Sequence, residues 1–197
     1  PQIDLARKIA SISPAGELTQ SFFTNSGTEA NETAIMLARC YTGHQEIVAL
    51  RHSYHGRSAL ATTLTGQGVW RGTAPPQPGV VFAHNAYCYR CPYGLELRSC
   101  GIHCLESLEG ILERHGHEVA GVVVEPLLQA AAGMLLLPDG WLRRVRELCD
   151  RHGTLLIVDE VATGFGRTGR MFACEHENVS PDLMAIAKGM TGGYLPL

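Results

Sequence analysis

Short apolar runs alternate along the chain with stretches in which apolar residues recur with a helical period, the pattern of βα units built around a mainly parallel sheet. The runs SFFT (21–24), EIVAL (46–50), GVVFAH (79–84), AGVVVE (120–125), TLLIVD (154–159) and LMAIA (183–187) predict strands. Ala34, Leu37, Ala38 and Tyr41 fall at i, i+3, i+4 and i+7 and predict a helix. A second is predicted by Leu142, Val145, Leu148 and Cys149, with Asp139 as candidate N-cap and Gly153 as its stop. Leu105, Leu108, Ile111 and Leu112 predict a third, ending near Gly116. The prolines of GTAPPQPG (72–79) mark a loop, and no internal repeat is present. The expectation is one α/β domain. Because the chain opens on Pro1 and stops at Leu197 just past a glycine-rich turn, it is expected to be an incomplete fragment.

At 197 residues, 45% of them hydrophobic, the chain can bury a substantial core. A net charge of -3 gives no electrostatic case for nucleic acid. No apolar run approaches the roughly 20 residues that cross a bilayer, and the first residues lack the basic flank and apolar core of a signal peptide. A cytoplasmic protein without membrane contact is therefore expected. In that reducing setting disulfides are disfavoured. Four of the seven cysteines stand in CYRCPYGLELRSCGIHC as Cys88, Cys91, Cys100 and Cys104, a spacing that structural zinc favours. A chain of this size folds without a metal staple, so no metal site is assigned from spacing alone. A zinc-binding interaction module stays open as a non-enzymatic alternative. Cys40, Cys149 and Cys174 are expected to be small core residues.

In an open parallel sheet, ligands bind beyond the carboxyl ends of the strands, so the polar residues there carry the chemistry. Asn25, Ser26, Gly27 and Thr28 follow the first run; Tyr54, His55 and Gly56 lie beyond the second; Glu125, Asp159 and Lys188 follow later ones. Small hydroxylated residues opening a long helix suit a phosphate, because free N–H groups and the positive helix end favour an anion. Ser and Thr also cap helices without binding anything. The GxxxxGK[ST] pattern is absent and no GxGxxG opens this helix, which argues against a P-loop enzyme and a nicotinamide oxidoreductase. Lys188, between LMAIA and GMTGG, could be a nucleophile or a plain strand-end lysine. Together, a phosphate cup, an aromatic loop residue, a carboxylate and a lysine at strand ends are the parts that pyridoxal 5'-phosphate (PLP) requires. The scattered His52, His55, His84 and His103 are given no catalytic role.

The runs SGTEAN, YHG, VVVEP, DEVATGFGRTG and AKGMTGG resemble those of class III aminotransferases, PLP-dependent enzymes of fold type I, over essentially the whole chain. The resemblance implies that residues 1–197 are a partial PLP-binding large domain, with an N-terminal segment and a C-terminal small domain missing. It makes Lys188 the lysine joined to the cofactor aldehyde and the acid–base catalyst, and Asp159 the partner of the pyridinium nitrogen. Gly27 and Thr28, with Ser26 beside them, become the phosphate cup; Tyr54 stacks on the ring, Val161 packs on its other face, and Glu125 is a site carboxylate. Glu160 is left a supporting hydrogen-bond role. An amine donor, a keto acceptor and a homodimer of the full-length chain are implied as partners. Within the class, ATGFGRTG, MFACEHE and KGMTGGYLPL resemble the biotin-pathway branch, which implies amino transfer from S-adenosylmethionine to 8-amino-7-oxononanoate, giving 7,8-diaminononanoate. TGGYLPL is also similar to some ω-amino-acid:pyruvate aminotransferases.

Overall fold

Five of the six apolar runs form strands, and they do so because each can be covered on both faces. The computed structural model describes residues 1–72 and 75–195. Thr73 and Ala74 of the proline loop, and Pro196 and Leu197 at the end of KGMTGGYLPL, lie outside the described residues. The helices are α1 (Gln2–Ile12), α2 (Gly27–Thr42), α3 (Ala59–Leu64), α4 (Glu106–His115) and α5 (Trp141–His152). The strands are β1 (Glu46–Leu50), β2 (Val80–Ala83), β3 (Val119–Val124), β4 (Leu128–Gln129), β5 (Leu135–Leu136), β6 (Leu155–Asp159) and β7 (Leu183–Ala185).

The main sheet has the order β2-β1-β3-β6-β7, and every neighbouring pair in it is parallel. The two-residue strands β4 and β5 form a separate antiparallel hairpin that the sequence pattern did not predict. Alternate side chains of the strands enter opposite cores. Val48, Leu50, Val122, Val124, Leu156 and Val158 pack with α4 and α5 through Leu108, Leu112, Val145 and Leu148. Ile47, Ala49, Ala120, Val123 and Ile157 pack with Ala34, Ile35 and Ala38 of α2. The result is helix, sheet, helix. From β1 the chain crosses outward to β2, and from β3 it crosses the other way to β6. That reversal opens a crevice at the carboxyl ends of β1 and β3.

Four expectations need correction. SFFT is not a strand: it makes no ladder, and Phe22 is 67% exposed. Backbone there runs along a cleft shared with Leu183, Met184 and Ile186 without bonding to β7, and an apolar run without a ladder partner has nothing to fix it as β. The buried face of α2 is Asn31, Ala34, Ile35 and Ala38, not the 34/37/38/41 stripe; Leu37 and Tyr41 are exposed. A polar asparagine at the head of the true face disguised its phase. Cys40, on the outer side of the same helix, is exposed rather than core, whereas Cys149 and Cys174 are buried. Finally, Gly140, at φ 81°, is the N-cap of α5 instead of Asp139. The orphan N–H groups of that helix are met from a distance: the Glu177 carboxylate accepts from Gly140 N at 2.9 Å and Arg143 N at 2.8 Å.

Candidate active site

The crevice is a cavity of about 680 Å³, within the size range of cofactor and substrate sites. Ser26, Gly27, Thr28, Tyr54, Glu125, Asp159, Val161 and Lys188, the residues assigned to the cofactor site from the sequence, line it, whereas Asn25 and Glu160 do not. They arrive from the N-terminus of α2, from the loop after β1, and from the ends of β3, β6 and β7. Local sequence explains how each is delivered.

Ser26 is the N-cap of α2, its Oγ accepting from Glu29 N at 3.2 Å, while Glu29 reaches back to accept from Asn25 N at 2.8 Å. These bonds, with Ala30 N donating to Ser26 O, leave the first-turn N–H groups of Gly27 and Thr28 beside the cavity. Gly27 has to be glycine. A Cβ there would stand 2.8 Å from both methyls of Val161, so the helix end and the loop after β6 touch through a missing side chain. On the other side Gly56, at φ 136°, presses against the Thr28 side chain, where a Cβ would meet Oγ1 at 2.5 Å.

Asp159 closes β6 and is buried at 5% exposure. Its Oδ2 accepts from Asn31 Nδ2 at 2.7 Å and pairs with His55 Nδ1 at 2.8 Å; its Oδ1 accepts from Val161 N at 3.0 Å. An ionised carboxylate only accepts, so Nδ1 of His55 is the donor. Asn31 also donates to His55 O at 2.9 Å, tying helix, loop and strand into one triangle. Three donors on one carboxylate fix its orientation. Asn31 was not singled out from the sequence, and His55 was placed beyond the second run but given no catalytic role; both contact the Asp159 carboxylate. Asn31 carried a signal as the polar residue one turn past Thr28 on the buried face of α2; His55 carried one as the middle of YHG.

Glu125, just past β3, accepts from Tyr54 N at 2.9 Å and from Ala130 N at 3.1 Å. Burial pushes its carboxyl up to about 7, with repulsion from Asp159 adding to the rise and His55 and the two backbone donors opposing it. The Tyr54 ring stands at the cavity wall, edge-on to Trp70 at 6.0 Å. Lys188 follows β7 in a turn closed by Gly193 N donating to Lys188 O at 3.0 Å. Directly after it, Gly189 lies so close to Phe165 that a Cβ would meet that residue's Cβ at 2.6 Å and its ring at 2.9 Å. Glu160 has a different task from its neighbour Asp159. It is buried, burial raises its carboxyl, and it accepts from Thr163 Oγ1 and from Cys174 N, so it pins the loop after β6. Two adjacent carboxylates at a strand end thus face opposite ways, one into the cavity and one into the scaffold.

A cavity holding a primary amine, a buried carboxylate with three donors and an unpaired helix N-terminus can bind a phosphorylated, carbonyl-bearing cation-forming ring. Comparison with known proteins agrees with that chemistry. The family model described as aminotransferase class-III matches residues 1–197. Adenosylmethionine-8-amino-7-oxononanoate aminotransferase of Nitratidesulfovibrio vulgaris is 46% identical over 208 residues, covering 100% of this chain and 38% of that protein. Its namesake from Geobacter sulfurreducens is 44% identical, covering 98% of this chain and 44% of that protein. Among solved structures, an (S)-enantioselective omega-transaminase from Thermomicrobium roseum superposes with a TM-score of 0.91 at 37% identity, over 100% of this chain and 45% of its own. A PLP-bound amine transaminase from an uncultivated Pseudomonas species gives 0.92 at 34% identity, over 98% and 46%. The chain spans less than half the length of each of these relatives.

Proposed function

Because the chain belongs to the class III aminotransferase family, we propose that it is the PLP-binding portion of an enzyme that moves an amino group from an amine donor to a carbonyl acceptor. The observation that carries this reading is the convergence of Lys188, Asp159 and the α2 N-terminus on one cavity. The residues fit the cofactor in three respects. Gly27 and Thr28 offer N–H groups at a positive helix end to a phosphate. Asp159, fixed by Asn31, His55 and Val161 N, offers negative charge to a protonated ring nitrogen. Val161 and Tyr54 offer an aliphatic and an aromatic wall.

When bound, PLP supplies an electron-poor ring that takes up the electron pair left on the substrate carbon. Lys188 Nζ would hold the cofactor by its aldehyde and would serve as the base that carries the substrate proton. Asp159, aimed by its three donors, would face the ring nitrogen and favour its protonated form. Glu125 ties the Tyr54 loop to the hairpin behind it, fixing the aromatic wall.

The names of the curated relatives favour S-adenosylmethionine as donor and 8-amino-7-oxononanoate as acceptor, a biotin-pathway step giving 7,8-diaminononanoate. The omega-transaminase structures favour a second reading, a simple amine or ω-amino acid with a keto-acid acceptor. Under either, the remaining length seen in the relatives and a second subunit of a cytoplasmic homodimer complete the substrate site. Among the described residues no helix is long and apolar enough to cross a membrane. The test has two stages on the full-length protein. Borohydride reduction should fix the PLP mass on the Lys188 peptide and leave Lys188→Ala unlabelled; labelling elsewhere contradicts the site. Absorbance of the bound cofactor should then shift on adding S-adenosylmethionine and recover with 8-amino-7-oxononanoate. A shift with alanine or putrescine alone selects the second reading.

A further inference from the structure

The four-cysteine segment takes no part in that cavity. It lies in the long connection between β2 and α4, where the described structure consists of turns and two single-turn helices, Cys88–Arg90 and His103–Leu105. Between Tyr89 and Gly101 every residue is exposed except Cys91 and Cys100. Cys88 and Cys104, at the two ends, are half-buried as well. A connection this long needs something to offset the entropy of ordering it, and buried apolar side chains do not supply it here. What the loop turns inward is sulfur. All four cysteines line a single cavity of about 20 Å³, together with Ala86, Ile102 and Pro138. That is room for about one water-sized sphere. None of the four is in a disulfide, and among the described residues the one hydrogen bond from a sulfur of this set is Cys100 Sγ to Leu97 O at 3.7 Å.

We propose that Cys88, Cys91, Cys100 and Cys104 are the ligands of one thiolate-held metal centre that clamps this loop onto the domain. The spacing supplies two chelating pairs, one in each half of the loop, and the fold brings the pairs to the same cavity. Among the described residues no three of these sulfurs lie within 4.8 Å of one another. A tetrahedral set at bonds of ~2.3 Å has its sulfurs about 3.8 Å apart, so ligation draws the loop inward. Within this loop, a Cβ at Gly94 or Gly101 would meet nothing within 4 Å, so neither position is packed against the domain. As each sulfur–metal bond forms, the thiol gives up its proton to solvent. The cavity volume favours a single ion, with zinc the first candidate; an iron–sulfur cluster held by the same four ligands is the outcome that iron and sulfide analysis would reveal. Simple filling of a loop by small thiols is the rival account.

The experiment is elemental analysis of the full-length protein, purified without chelator, for zinc, iron and acid-labile sulfide. The expected result is about one zinc per chain, or iron with matching sulfide, falling to trace in Cys88→Ser/Cys91→Ser and unchanged in Cys40→Ser. Wild type at trace levels after growth in zinc- and iron-supplemented medium, or equal metal in the double variant, overturns the proposal. Should the double variant fail to fold, wild type stripped of metal and titrated with cobalt decides. Visible bands of tetrahedral cobalt with near-ultraviolet thiolate charge transfer uphold the centre, and their absence overturns it. Activity is not the readout, so failure of this proposal and failure of the aminotransferase reading stay distinguishable.

Discussion

Replacing Glu125 with glutamine takes a titrating carboxyl out of the wall of the active-site cavity and converts its pH dependence into a measurable difference. In the folded chain burial lifts this carboxyl from 4.5 to about 7. Between those values the folded state holds a proton that the unfolded state has released, so wild-type stability contributed by Glu125 is complete below pH 4.5 and is lost as pH rises through about 7. At about 1.4 kcal/mol per pH unit, the loss is bounded at roughly 3 kcal/mol. Glutamine does not titrate. It keeps one acceptor for Tyr54 N or Ala130 N but turns an NH2 toward the other donor, which costs roughly 1–3 kcal/mol at any pH. Urea unfolding of both proteins at about pH 5 and about pH 8 should therefore show Glu125→Gln less stable at the lower pH, with the gap closing or inverting by roughly 3 kcal/mol at the higher. Other groups that titrate in both proteins cancel in the difference. A gap that stays constant or widens with pH refutes the reasoning, since it means that Glu125 ionises in the fold as easily as in water.

Three further outcomes follow from contacts on the same scaffold. Gly27→Ala sets a methyl 2.8 Å from both Val161 methyls and should lose roughly 1–3 kcal/mol in urea unfolding along with PLP affinity; Val161→Ala in the same chain should restore much of both, and additive losses would refute the contact. Asp159→Asn removes the charge but keeps the size, and its NH2 must face at least one of three donors, so full-length enzyme should lose roughly 1–3 kcal/mol of stability and, at matched PLP occupancy, turnover by orders of magnitude; undiminished turnover contradicts the role. Glu177→Ala strips the acceptor from Gly140 N and Arg143 N and should cost about 1–2 kcal/mol, with faster amide exchange confined first to the start of α5; uniform exchange across the domain would show that no cap was lost.

The sequence by itself determined the strands that both helical layers cover, because a β run with no polar face reads the same at every position: β1, β2, β3, β6 and β7 all stood out as apolar runs. It also determined where chemistry would sit, since residues just past such runs fall together at one edge of a parallel sheet whatever the strand order. Tertiary structure alone decided the rest. SFFT is as apolar as a strand, yet strand formation depends on a ladder partner that the run itself cannot encode. The start of α5 was not legible because its cap, Glu177, comes from a different part of the chain. Asn31 and His55 look like ordinary polar residues until the fold sets both against Asp159 at 2.7 and 2.8 Å. Asp159 and Glu160 are adjacent acids in sequence; only the turn out of β6 sends one to the cavity and the other to Thr163 and Cys174. Composition and period are properties of one segment, and they reveal what that segment must hide. Partnership is a property of two segments, and it exists only once the chain has folded.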